Sequence, residues 1–128
     1  MHIPLGMRSW VEISRPALHA NVATLRAALE PGVSLCAFVK ANAYGHDIAL
    51  TTRLLHEAGV GHFGVDSIDE ANVVRRHAPE AAIFIAGMVP HERMADVVAC
   101  RAVAHLYDEA GVDALIEAAV AAQGTALI

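Results

Sequence analysis

The chain has 128 residues, 55% of them apolar and 18% charged, with a formal net charge of -5. That suffices for one domain with a real core and excludes a disordered chain, while nine scattered Lys and Arg make no basic stripe for nucleic-acid phosphates. No apolar run reaches membrane-spanning length and "MHIPLGMRSW" lacks the apolar core of a secretory signal, so a cytoplasmic chain with no nucleic-acid or membrane partner is expected.

"WVEIS" (10–14) alternates apolar and polar residues and predicts a half-buried strand. In "SRPALHANVATLRAALEPG", Leu18, Val22, Leu25 and Leu29 recur at helical spacing; Ser14 suits the N-cap, Pro16 the first turn, and Pro31-Gly32 the stop. "SLCAFVK" (34–40) is a short apolar run without alternation, which predicts a strand covered on both faces. "DIALTTRLLHEA" (47–58) reads as a helix ending at Gly59.

The pattern then repeats. "HFGVD" (62–66) predicts a strand and "SIDEANVVRRHA" a helix, capped by Ser67 with Glu70 completing a capping box. "AAIFIAG" (81–87) is the next strand, "HERMADVVACR" a helix, and "AVAHLYD" (102–108) a further strand. The helix "EAGVDALIEAAVAAQ" carries Val112, Leu115, Ile116, Ala119 and Val120 on one stripe, and "TALI" (125–128) begins another strand. Four strand–helix units with short connections require a parallel sheet with right-handed crossovers. Their repeat of roughly 20 residues suits a (β/α)8 TIM-type barrel, which needs eight units and about 250 residues. The expected fold class is therefore α/β, the first half of such a barrel, with a small open sheet as the rival.

In parallel α/β folds chemistry collects at the carboxyl ends of the strands, and Lys40 is predicted at such an end. A lysine whose stem rises from an apolar interior can present a neutral amine to a carbonyl. The loop "ANAYGH" after it is small except for Tyr44 and His46; Gly45 permits close backbone approach, and the helix that follows opens its N–H groups toward an anion. Spacing alone gives a candidate carbonyl-plus-phosphate site. The ordinary alternative is a lysine that snorkels to solvent.

"AFVKANAYGH" closely resembles the cofactor-lysine motif of alanine racemases, fold-type III enzymes that use pyridoxal 5'-phosphate (PLP). "WVEISRPALHANVATLR" is similar to the family's opening strand and helix, "LLHEAGVGHFGVDSIDEANVVRR" to its second unit, and "IFIAG" to its third strand, so the resemblance covers residues 9–128. It implies that Lys40 holds PLP as a Schiff base and exchanges the substrate α-proton, and that Tyr44 hydrogen-bonds the cofactor phosphate. Ala86 matches a position near the cofactor ring. It further implies racemisation of L- and D-alanine for peptidoglycan, a homodimer, and a second catalytic tyrosine from the neighbouring subunit's C-terminal domain. Residues 1–128 would then be the N-terminal part of the PLP-binding barrel, inactive alone, with the rest of the barrel and a C-terminal β-domain absent from this chain. A serine or broad-specificity racemase, a decarboxylase of the same fold, a non-catalytic PLP-binding barrel and a plain structural domain remain open alternatives.

One position departs from the family motif: Asp47 stands where glycine is usual after "AYGH", and an N-cap role is expected for it. Other candidates carry no chemistry. Eight histidines show no HExxH or paired Cys/His spacing, so no metal is expected. "GVGHFG" lacks a dinucleotide-loop context. Asp69 and Glu70 serve the helix dipole, "VVRR" reads as a solvated face, and Cys36 and Cys100 as two reduced buried thiols.

Overall fold

The computed structural model describes residues 9–128; residues 1–8 of the expected domain lie outside the described residues. Helix α1 (Arg15–Ala27) starts where Ser14 Oγ accepts from the Ala17 N–H, with Pro16 in its first turn. Four strands follow, β1 (Cys36–Phe38), β2 (His62–Val65), β3 (Ala82–Ile85) and β4 (Val103–Ala104), paired parallel in the order β1-β2-β3-β4. Between β1 and β2 lie a single turn, α2 (Lys40–Tyr44), and helix α3 (Ile48–Glu57). Helix α4 (Ile68–His77) joins β2 to β3. A 3-10 turn (His91–Arg93) and α5 (Met94–Cys100) join β3 to β4, and α6 (Glu109–Ala121) follows.

Strand order equal to chain order, with α3 against α4, α4 against α5 and α5 against α6, is the winding of a barrel rather than of a doubly wound sheet. The core lies between sheet and helices. Val39, Phe63, Val65, Ile83, Ile85 and Ala104 turn outward and are at most 3% exposed, packed with Val74, Val97 and Leu115 among others. Each fully buried large side chain contributes about 1.5–3 kcal/mol.

The opposite, inner face differs from the expectation of double coverage. Cys36, Phe38, His62, Phe84 and His105 alternate with the core residues and are exposed, so β1 buries one face only. Cys36, expected buried, lies on this open face, although partial burial of the thiol pushes it up from its ordinary value. Cys100 is buried and reduced as expected, its thiol pushed up by desolvation.

Further expectations are corrected. Residues 10–14 form no strand: Trp10 and Val11 are exposed, and no ladder pairs with them among the described residues. The strand expected over 102–108 is regular only at Val103–Ala104, and "TALI" contributes one parallel bridge, Val103 to Leu127. "VVRR" is not a solvated face. Val74 is fully buried, and Arg75 donates from Nε to Cys100 O (2.9 Å), from one terminal nitrogen to Pro79 O (2.6 Å) and Ala81 O (2.8 Å), and from the other to Arg101 O (3.1 Å). The α6 stripe also divides, Leu115 and Ala119 being buried while Val112, Ile116 and Val120 are exposed. Among the described residues no helix is long and apolar enough to cross a membrane.

Candidate functional site

The parallel ladder brings the ends of β1, β2 and β3 to one rim. Val39 N–H donates to Gly64 O at 2.8 Å and Ala86 N–H to Val65 O at 2.9 Å, which sets Lys40, Asp66 and Ala86 one step beyond paired positions. Alternation turns all three toward the inner face. Lys40 is also the sole lysine of the 128 residues; the other eight basic residues are arginines. That count was readable in the sequence and singles out the position.

Beyond Lys40 the backbone winds the wrong way. Ala41, Asn42, Ala43 and Tyr44 all have φ between 51° and 55°, one complete left-handed turn built without glycine, closed by Gly45 at φ 88°. Left-handed helical residues other than glycine each cost on the order of 1–2 kcal/mol, so the turn persists only because its surroundings hold it. Local bonds do part of this. Ala43 N–H donates to Val39 O, Gly45 N–H to the Ala41 and Asn42 carbonyls, and Asn42 Oδ1 accepts from Ile48 N–H at 2.9 Å. One partner comes from elsewhere in the chain. Asn42 N–H donates to Glu70 Oε1 at 3.2 Å, while Glu70 Oε2 accepts from Asp66 N–H at 3.0 Å.

Glu70 thus departs from the expected capping box: its carboxylate bypasses the N-cap N–H for Asp66 and Asn42, while Ser67 Oγ still accepts from Glu70 N–H at 3.3 Å. Asp66, which drew no attention in the sequence, accepts from Lys40 Nζ at 3.3 Å. Lys40, Ala41, Asp66, Ser67 and Glu70 line a cleft of about 150 Å³. The Lys40 side chain is 39% exposed, so its amine is neither wrapped in apolar surface, as its strand-end position suggested, nor lost to bulk solvent. Tyr44 and Ala86 do not line this cleft. Tyr44 is 60% exposed with no hydrogen-bond partner for its hydroxyl among the described residues. Ala86 is half-buried, its carbonyl accepting from Tyr107 Oη at 3.0 Å.

Asp47 is the N-cap of α3 as expected, its Oδ1 accepting from Leu50 N–H at 2.8 Å, but its backbone sits at φ 68°, ψ 108°. Glycine at an N-cap loses only a few tenths of a kcal/mol relative to Asp, whereas relief of such a backbone is worth about 1–3 kcal/mol. Asp47→Gly should therefore raise stability by about 1 kcal/mol, seen as a higher urea midpoint at unchanged slope. A lower midpoint would mean that the carboxylate outweighs the strain.

The rim thus carries a reachable amine that can meet a carbonyl, while the phenol four residues on, unpartnered among the described residues, lies outside the Lys40 cleft. Residues 13–128 match the family described as alanine racemase, N-terminal domain. An alanine racemase of Leptospira interrogans is 42% identical over 91 residues, 70% of this chain and 23% of that protein. The crystal structure of a Bacillus anthracis alanine racemase with bound L-Ala-P superposes with a TM-score of 0.80 at 29% identity, covering 91% of this chain and 30% of that one. PipY of Synechococcus elongatus with PLP bound shares the fold alone, with a TM-score of 0.70 at 23% identity over 83% of this chain and 50% of that one. The chain spans about a quarter of the length of the curated relatives it matches.

Proposed function

We propose, from the premise that this chain belongs to the alanine racemase N-terminal domain family, that it is the first part of a PLP-binding (β/α)8 barrel whose intact protein interconverts L- and D-alanine. The observation that carries the reading is the sole lysine standing reachable at the inner carboxyl rim of a parallel sheet, at the head of a strained left-handed turn.

PLP, when bound, supplies an electron sink that makes the substrate α-proton removable. Lys40 Nζ would be the group that holds the cofactor's aldehyde, and as a free amine it would take or return the substrate α-proton on one face. The Tyr44 hydroxyl would donate to the phosphate, for which its exposure and its lack of a partner among the described residues leave it available. Ala86 keeps the rim beside the ring shallow. Inversion needs a second acid/base on the opposite face, and the matching tyrosine belongs to the partner subunit of a homodimer, outside this chain. The product D-alanine would serve peptidoglycan.

The domain reading has its own support. Val112, Ile116 and Val120, spaced by four and 38%, 53% and 73% exposed, offer α6 to a following helix, and Leu127 begins a strand against β4. Phe38 and Phe84 would be covered once further strands close the barrel. Residues 1–128 alone should show no turnover.

The test is enantiomer scrambling. The intact protein with PLP should convert pure L-alanine into both enantiomers, resolved by chiral chromatography, and Lys40→Ala should not. L-alanine returned unscrambled by PLP-loaded wild-type protein would refute the assignment.

A further inference from the structure

Four non-glycine residues wound left-handed need an anchor, and the bonds within 39–51 that support the turn are local: each moves with the loop it is meant to hold. The exception crosses 28 residues. Glu70 is half-buried in the first turn of α4, and its two carboxylate oxygens accept one N–H each, from Asn42 inside the turn and from Asp66 at the end of β2. Because Asp66 also accepts from Lys40 Nζ, the bonds close a circuit: Lys40 to Asp66, Asp66 to Glu70, Glu70 to Asn42, and two residues of chain back to Lys40.

We propose that Glu70 is a positioning residue for the lysine loop, locking the left-handed turn 41–44 against the carboxyl end of β2 so that Tyr44 is presented to an incoming phosphate. This rests on the reading above that Lys40 and Tyr44 hold PLP. An ionised carboxylate suits the task because it accepts on both oxygens, and both of its partners here are backbone donors. Glutamine keeps the length but offers a single acceptor oxygen; its NH2 would face whichever N–H is left over. The turn is then free to relax out of the left-handed region. Tyr44 moves with it, while Lys40 remains fixed by the β1 ladder at its base.

The consequence is selective. Glu70→Gln in the intact protein should weaken retention of PLP about tenfold, the worth of one charge-assisted hydrogen bond, yet weaken retention of pyridoxal, which lacks the phosphate, by less than about twofold. Absorbance titrations with the two aldehydes read both numbers. Ala41→Gly, placed at φ 51° where glycine is unstrained, should restore most of the PLP affinity in the Glu70→Gln background. Equal losses for the two aldehydes, no loss for either, or no rescue would overturn the lock.

A second measurement needs neither variant nor cofactor. In the wild-type protein without PLP, the Asn42 amide should exchange with solvent deuterium far more slowly than a free loop amide, although Asn42 is exposed. Free-loop exchange there sinks the lock even if Glu70→Gln fails to fold. Failure of the underlying reading looks different: wild type and Lys40→Ala would then retain PLP equally, whatever the Asn42 amide does.

Discussion

Gly87→Ala should destabilise the protein by about 3 kcal/mol and loosen the rim that carries Lys40. A Cβ built at Gly87 would stand 2.1 Å from the Asp66 carbonyl oxygen, 3.1 Å from its carbonyl carbon and 3.2 Å from its Cγ. The nearest atom is backbone, so no side chain can swing away, and the ends of β2 and β3 must part by roughly an ångström. Overpacking of this kind costs about 1–3 kcal/mol in a well-packed interior, and backbone against backbone lies at the upper end. The displaced residue is Asp66, which accepts from Lys40 Nζ and donates its N–H to Glu70, so the disturbance enters the candidate site directly. Chemical denaturation of Gly87→Ala and PLP titration of the same protein should both move. An unchanged midpoint would mean that the strands separate more easily than the contact implies.

Arg75→Met should lower stability by a similar amount, roughly 3 kcal/mol, or on the order of 10 °C in melting temperature for a domain of this size. Arg75 lies in the last turn of α4, and its guanidinium takes carbonyls of Pro79 and Ala81 in the connection to β3 and of Cys100 and Arg101 at the end of α5. Helix ends leave their last carbonyls without intrahelical donors, and this cation serves two such regions at once. Methionine keeps the apolar stem and removes every donor. Solvation of the freed carbonyls moderates the loss, which is why the figure falls below the sum of four charged hydrogen bonds. Arg76→Met, changing the exposed neighbour, should leave the melting curve in place; equal effects of the two would refute the clamp.

The sequence pattern carried the strand–helix alternation because that pattern is local: Val39, Phe63, Val65, Ile83 and Ile85 are apolar at every outward strand position, and Ser14, Ser67 and Asp47 mark helix starts within three residues of the bonds they make. It misled where a local pattern needed a distant partner. "WVEIS" alternates like a strand but pairs with no strand among the described residues, and the run through Cys36 and Phe38 looks doubly covered while its inner face is open. The place of Lys40 just past a strand end was legible in the sequence. The groups that hold it were not. Asp66 and Glu70 reach Lys40 and Asn42 across 26 and 28 residues, and nothing in the spacing of a short helix start announces that reach. Arg75, from within its own helix, read only as surface charge.

Everything functional rests on covalent capture of PLP by one nitrogen, and chemical trapping reads that bond directly. Borohydride reduction of the PLP-loaded intact protein, followed by peptide mass mapping, should place the phosphopyridoxyl mass on the peptide containing Lys40, and Lys40→Ala should carry none. A label on any other residue, or equal labelling of the variant, would contradict the account.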